Sequence, residues 1–266
     1  MGILTKLFGN AKPLYQIDRP EESKLFLQAR DCMGRFIQSK MNEFGGFSGP
    51  DGFRWVRKEL TSPSFDDMNF AYKNKVYSLL LELQDNGKNL LPEKRKKIFE
   101  EVCKKNNLIP CIFKLDAKTL KPIEGGWNMR ELGTDKEIDP MKLSTDKKEL
   151  MSAWELNNFA IFCVMKDLNK EGCKIMSFCD APEIEPQIWF EDKDGKASWV
   201  VVRYCLYPQK PDEIKCMNAE SIAAKIPQYN GYFAVVGFFP IEGKPYRGSG
   251  FHIGYKGLQK VYTNNQ

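Results

Sequence analysis

His252 is the single histidine of the sequence, and a Ser/His/Asp or Cys/His arrangement for nucleophilic catalysis would have to use it. It follows Gly248-Ser-Gly and lies between Phe251 and Ile253, a pattern that predicts a turn leading into a strand with His252 on its outer face. The G-x-S-x-G signature of a nucleophile elbow is absent from the sequence. We therefore expect His252 to contribute to a ligand or partner surface rather than to catalysis.

Eight cysteines are the other candidates for chemistry, but no two of them form a C-x-x-C pair. With a single histidine, the sequence offers no ligand pairs for a tetrahedral zinc site. Most of the cysteines, such as Cys111 and Cys163, lie inside apolar runs, where a thiol packs as a small hydrophobic group. Since we expect no secretory signal, the pattern predicts reduced thiols in a cytoplasmic protein.

The composition is that of a soluble globular protein. The chain has 266 residues, of which 42% are hydrophobic and 28% charged, and this length is enough for two ordinary domains. Its net charge of +5, from 40 basic and 35 acidic residues, gives only weak support for a nucleic-acid partner. No apolar run reaches the roughly 20 residues of a membrane span, so no membrane span is expected.

Apolar periodicity predicts the same order of elements twice along the chain. In the first half it predicts a helix over 21–43, strands over 53–60, 65–72 and 76–83, a helix over 92–105 and a strand over 108–115. In the second half it predicts a helix over 145–172, strands over 174–179, 187–191 and 198–206, a helix over 218–226 and strands over 231–239 and 251–255. The polar stretch 117–146 between the halves is predicted to be a linker.

The long helix of the second half has two further predicted features. Ser144, Thr145 or Asp146 is expected to cap its beginning, because each side chain can accept a hydrogen bond from the first turn. Its apolar stripe is unusually wide, which indicates burial on more than one side.

The two halves also resemble each other residue by residue. Phe70 aligns with Phe190, 79–81 with 200–202, and 107–113 with 230–236. Self-similarity at such a long period indicates a duplication. The predicted fold is α/β (or α+β), with two similar halves, each a mixed sheet flanked by helices in α-β-β-β-α-β order. The expected boundaries are a leader over 1–20, a first repeat over 21–140 and a second repeat over 141–266.

This order of elements resembles the core of the PD-(D/E)xK nuclease-like fold. The resemblance implies an acid on the second strand, and an acid and a lysine two residues apart on the third, which hold a divalent metal and its water. Asp67 and Glu82 fall at the acidic positions of the first half, but Gln84 stands where the lysine is needed. The corresponding residues of the second half are Gln187 and Arg203. Neither half carries the complete set.

We therefore expect a soluble, cytoplasmic, bacterial protein without a cofactor that binds, and regulates or inhibits, another protein. Trp127, Arg203 and His252 are the expected ligand or partner surface. One alternative is a divergent nuclease in which Asp67 and Glu82 hold Mg²⁺. Another is a small-ligand protein with a pocket between the halves near Trp127 and His252. Because an acid in the first half, Glu82, corresponds to a base in the second, Arg203, an ion pair between these two residues across the halves is also suggested.

The nuclease resemblance also implies a possible role for an acid on a helix. Glu155 lies on the long helix of the second half, where some nucleases of this kind place an additional acid. Glutamate is common on helices, so Glu155 is not counted among the expected site residues.

Overall fold

The computed structural model describes residues 24–46, 52–57, 68–181, 183–215 and 218–262. The first half contains α1 (Lys24–Glu43), β1 (Arg54–Arg57), β2 (Met68–Tyr72), β3 (Lys75–Asp85), β4 (Lys88–Asn89), α2 (Glu93–Lys105), β5 (Ile109–Asp116) and β6 (Met129–Glu131). A short helix α3 (Pro140–Leu143) follows. The second half contains α4 (Ala153–Lys170), β7 (Lys174–Phe178), β8 (Ile188–Glu191), β9 (Ala197–Leu206), a 3-10 turn (Pro211–Glu213), α5 (Ala219–Lys225), β10 (Asn230–Pro240), β11 (Phe251–Tyr255) and β12 (Gln259–Lys260).

Each half forms its own six-stranded mixed sheet. The strand order is β1-β2-β3-β5-β6 in the first sheet, with β4 beside β3, and β7-β8-β9-β10-β11 in the second, with β12 beside β10. The long third strand of each half runs parallel to the strand after the next helix, β3 with β5 and β9 with β10, and the other pairs are antiparallel. The predicted mixed α/β architecture of two similar halves is confirmed.

The strand registers define which residues of the two halves are equivalent. Leu79 pairs with Cys111 across β3 and β5, and Val200 pairs with Tyr232 across β9 and β10. If Leu79 and Val200 are equivalent, Cys111 corresponds to Tyr232 and not to Ala234, as the sequence alignment had it. The alignment was wrong by two residues there, because an apolar strand contains no internal marker of register.

Helix α4 lies between the two sheets and packs on both. Ala160 and Val164 are fully buried against the second sheet. Trp154, near the beginning of the helix, packs instead with Leu80 and Phe99 of the first half. The predicted burial on more than one side is confirmed.

The beginning of α4 differs from the prediction. The helix begins at Ala153, and Ser152 caps it by accepting the Glu155 N–H at 3.2 Å, while the Glu155 carboxylate accepts the Ser152 N–H at 2.8 Å. The segment before it stays irregular because the first half holds it: Asn74 Oδ1 accepts the Thr145 N–H at 2.8 Å. None of the three residues predicted as caps is the cap.

The stretch 117–146 is more than a linker. It contains β6 and α3, and Trp127, Met129 and Ile138 are buried in the core of the first half. Its glycines, Gly125, Gly126 and Gly133, lie in bends and turns near these buried residues, and such a composition is also that of a linker. The boundary at residue 140 stays a prediction.

Two predictions, the leader over 1–20 and the assignment of Asp67, fall outside the described residues. Among the residues that the structure describes, no helix combines the length and apolar character needed to cross a bilayer.

Candidate functional site

Glu82, the acid that the nuclease resemblance places on β3, is buried and already paired. Its carboxylate is 1% exposed and lies 2.8 Å from the Lys96 ammonium on α2, which also lies 2.9 Å from Glu93. Burial opposes the charge of Lys96, but the two carboxylates outweigh it and raise the pKa of Lys96 above its ordinary value. The Glu82 carboxylate is therefore engaged in an ion pair between β3 and α2.

The equivalent positions of the second half hold their hairpin together. Gln187 is 1% exposed, and its side-chain oxygen accepts the Val202 N–H at 2.8 Å. Arg203 forms an ion pair with Glu185 and donates to the Val202 carbonyl at 2.9 Å. The suggested ion pair between Glu82 and Arg203 is wrong, because each residue has its partner within its own half.

Of the two residues that the resemblance assigns to Mg²⁺, Asp67 lies outside the described residues, and Glu82 is engaged with Lys96. Mg²⁺ needs carboxylate oxygens that are free to approach it, whereas the Glu82 carboxylate faces a cation. The described part of the chain contains no group of three or more His, Cys, Asp or Glu side chains that could hold a metal ion.

A buried arginine fills the space between the halves. Arg247 has 1% of its side chain exposed and contacts Glu155 at 2.7 Å through Nη2 and 3.0 Å through Nε. It also donates to the Asn107 carbonyl at 2.9 Å and the Asn74 carbonyl at 3.3 Å, both in the first half. Glu155 thus both caps α4 and binds the arginine that links the two halves.

The structure separates the three residues predicted as a surface. Trp127 is 4% exposed and stacks on Phe44 and Phe70, so its assignment to a ligand or partner surface is corrected: it is a core residue of the first half. Arg203 is half-buried in the second half, and His252 is exposed on β11 at a sheet edge. Trp127 lies in the core of the first half and His252 on an edge strand of the second, and the alternative of a pocket near both residues stays a prediction.

The second half contains a hollow that the sequence analysis missed. One wall is the end of α4, where Gly172, at a φ of 78°, turns the chain so that the Cys173 N–H donates to the Leu168 carbonyl at 3.0 Å. The other wall is the β8–β9 turn, which Asp192 fixes by accepting the N–H groups of Asp194 at 3.0 Å and Lys196 at 2.9 Å.

We call this feature the acidic hollow. It has a volume of about 410 Å³ and is open to solvent. Its apolar residues are Leu168, Phe190, Tyr232 and Leu258. Its polar residues are Asp167, Glu171, Cys173, Asp192, Lys193 and Asp194. Four carboxylates thus face a single ammonium group, on a chain whose net charge is positive.

The charges of the hollow are unevenly paired. Lys193 lies 3.4 Å from Glu171, and both are exposed. Lys260 is paired with Tyr232 in the sheet register, but its ammonium lies over the Tyr262 ring at 5.9 Å. Within the described residues, neither Asp192 nor Asp194 has a cationic partner, so two carboxylates remain to attract a positive group.

Burial favours the neutral forms of the tyrosine and the cysteine in the hollow. It raises the pKa of Tyr232, and the nearby Asp192 and Cys173 add to the shift. It also raises the pKa of Cys173, with Lys193 opposing. Near neutral pH the negative potential therefore comes from the carboxylates alone.

Comparison with known protein families gives a match in the second half. Residues 154–261 match the family described as Domain of unknown function (DUF8840). No curated protein and no solved structure matches the chain. The matched segment runs from α4 to β12, so it covers one complete copy of the repeated unit and every residue of the acidic hollow.

Proposed function

We propose that this chain is a binding protein whose acidic hollow receives a cationic group on an apolar stem. The group is an ammonium or guanidinium, and its source is either a lysine or arginine side chain of a partner protein or a free amine. The observation that supports this most is the pair Asp192 and Asp194, two carboxylates without cationic partners beside an apolar floor.

The floor suits the stem of such a group. Phe190 and Tyr232 lie with their ring centroids 5.8 Å apart, next to Leu168 and Leu258. Methylene groups of a lysine or an alkylamine would lose water against these side chains, at about 0.8 kcal/mol for each CH₂ fully buried. The aromatic faces would add a cation–π attraction for the charged end.

The hairpin turn of the first half also binds residues of opposite charge, but there the turn is basic and its partners are acidic. Lys73 and Lys75 lie at that turn and pair with Asp146 at 2.7 Å and Glu149 at 2.5 Å. The β8–β9 turn occupies the equivalent place in the second half, and it is acidic and open. The first turn docks on oppositely charged residues within the chain, and by analogy the second turn docks on a cation from outside.

The contacts of the residues at the positions that a nuclease would use for catalysis also agree with a binding role. Glu82 is neutralised by Lys96, and Gln187 and Arg203 are engaged in their hairpin. Each of these side chains has a partner within the fold.

The experiment is calorimetric titration at low salt with N-acetyl-lysine amide, compared with N-acetyl-norleucine amide, which lacks the ammonium. We expect saturable binding of the lysine compound only, weakening as salt is added. The double variant Asp192→Asn, Asp194→Asn is expected to weaken binding at least tenfold. The double variant Asp31→Asn, Glu43→Gln, which removes two exposed carboxylates of α1, is the charge-matched control and is expected to bind as the wild type does.

Two further titrants distinguish the sources. A Gly-Gly-Lys-Gly-Gly peptide that binds more tightly than n-butylamine indicates a protein partner, and the reverse order indicates a small amine. Equal binding of the norleucine compound, or no loss in the double variant, would overturn the proposal. So would cleavage of DNA or RNA with Mg²⁺ or Mn²⁺ that is lost in Glu82→Gln.

A further inference from the structure

The outer edges of the two sheets are protected to different degrees. An unprotected edge strand offers its backbone N–H and C=O groups to another strand, and proteins guard such edges with charges, bulges or covering segments. The edge strand β1 begins and ends with Arg54 and Arg57 and has a bulge between Trp55 and Arg57. The edge strand β7 begins with Lys174 and has a bulge between Ile175 and Ser177.

The first sheet covers its other edge with its own chain. Residues 136–138 return along β6, where Arg130 and Glu137 form an antiparallel bridge. The Glu131 N–H donates to the Lys136 carbonyl at 2.8 Å, and the Ile138 N–H donates to the Met129 carbonyl at 3.0 Å. The backbone groups of β6 are thereby used.

The corresponding edge of the second sheet, β11, has none of these protections in the described residues. Its five residues pair with β10 in a regular register without a bulge. They include no proline, lysine, arginine or acid. No described backbone segment bonds its outer side, and Ile253 at its centre is 53% exposed.

We propose that β11 pairs antiparallel with β11 of a second copy of this chain, across a two-fold axis at Ile253. A symmetric dimer requires a surface that is complementary to itself. In this register Ile253 faces its own copy, Phe251 faces Tyr255, and His252 faces Gly254. Aromatic and branched cross-strand pairs of this kind stabilise sheets, and the bulky imidazole meets a residue without a side chain.

The alternation of side chains supports the same register. Phe251 packs against Phe238 with ring centroids 5.7 Å apart, and Tyr255 packs against the same core, so both lie on the α4 face of the sheet. Ile253 lies between them on that face. The pairing would thus continue the apolar layer of one copy into that of the other, and like charges would not meet at the seam.

The main test is sedimentation velocity over a wide range of protein concentration. We expect the wild type to associate into dimers, and Ile253→Lys, which places two ammonium groups on the axis, to weaken the association at least tenfold. Leu27→Lys is the matched control, because Leu27 on α1 is 55% exposed and the charge change is the same. A monomeric wild type, or association that survives in Ile253→Lys, would overturn the proposal.

Cysteine crosslinking tests the register. On the proposed axis the two Cα atoms of residue 253 would lie roughly 4.5–5.5 Å apart, which is within the span of a disulfide. We expect Ile253→Cys to form a covalent dimer on mild oxidation, with residue 253 identified in the crosslink by mass spectrometry. His252→Cys and the wild type, with its native thiols, are expected not to do so. Crosslinking through residue 252 instead, or none through 253, contradicts the register.

Discussion

The two halves have the same order of helices and strands but differ in what they leave exposed. In the first half, the hairpin turn at Asn74 is bound by Thr145, Glu149 and Arg247, and β6 is covered by residues 136–138. In the second half, the equivalent turn forms the rim of the acidic hollow, and β11 is open. The acidic hollow and the open strand β11, which carry the two proposed binding surfaces, therefore both belong to the second half.

The contrast extends to the equivalent charged residues Glu82 and Arg203. Glu82 is 1% exposed and depends on Lys96, which is 13% exposed. Arg203 is 31% exposed and pairs with Glu185. One position thus carries a charge removed from water, and the other carries a charge that water still reaches.

Breaking the buried contact between Arg247 and Glu155, which links the halves, is expected to have the largest effect on stability. Arg247→Met leaves the Glu155 carboxylate buried without its cation, which should lower the free energy of unfolding by about 3–5 kcal/mol. Urea denaturation followed by circular dichroism measures it. Arg247→Met combined with Glu155→Gln, which keeps the capping geometry, should lose less than the single variant. If the free energy of unfolding of Arg247→Met were within about 1 kcal/mol of the wild-type value, the role assigned to this contact would be contradicted.

Removing the basic residue from each of the two ion pairs, Glu82 with Lys96 and Arg203 with Glu185, compares the halves directly. Lys96→Met should lower the free energy of unfolding by about 3 kcal/mol, because Glu82 is then buried and unpaired. Arg203→Met should cost about 1 kcal/mol, since its pair is partly solvated. The same urea denaturation serves both variants. Equal losses would show that the two positions do not differ as their burial suggests.

A smaller effect is expected at high pH from Tyr77. Its hydroxyl lies 2.8 Å from the Ser144 hydroxyl, and burial raises the pKa of Tyr77 above its ordinary value, with the Ser144 hydrogen bond opposing. The folded state therefore favours the neutral phenol. This contribution to stability is complete below about pH 10 and is lost as the pH rises above it.

Tyr77→Phe is the matching variant, and it should lose about 1 kcal/mol at pH 7 with the hydrogen bond. Above pH 10 its stability should fall less steeply than that of the wild type. Other tyrosines with raised pKa are present in both proteins, so the difference between the two curves, from urea denaturation at each pH, is the measured quantity. Parallel curves would contradict the sign derived for Tyr77.

Most of the longer helices and strands could be predicted from the sequence, because apolar periodicity and turn residues are local signals. The hairpin at 73–74, the helix after Pro92 and the strand Phe251–Tyr255 lie where they were expected. Trp127 was misplaced because a tryptophan in a polar stretch gives no sign of the core it enters. The capping residue of α4 was missed because Asn74, far away in sequence, determines the conformation of the segment before it.

The acidic hollow could not have been predicted, since its residues come from four separated segments. Asp167 and Glu171 are one helical turn apart, and Asp192 and Asp194 lie between β8 and β9. Nothing local places these two groups on opposite walls of one hollow, or places Tyr232 and Leu258 beneath them. Only the sheet order, with β10 next to β9, brings them together.

The most direct test of the central claim is to map where a cationic ligand binds. Two-dimensional amide NMR of the ¹⁵N-labelled chain, titrated with N-acetyl-lysine amide, reports the contacted residues. The account predicts saturable shifts in 167–173, 190–196, 232 and 258, and none at the equivalent hairpin around Asn74. Shifts confined to the first half, or shifts that the norleucine compound reproduces, would contradict it.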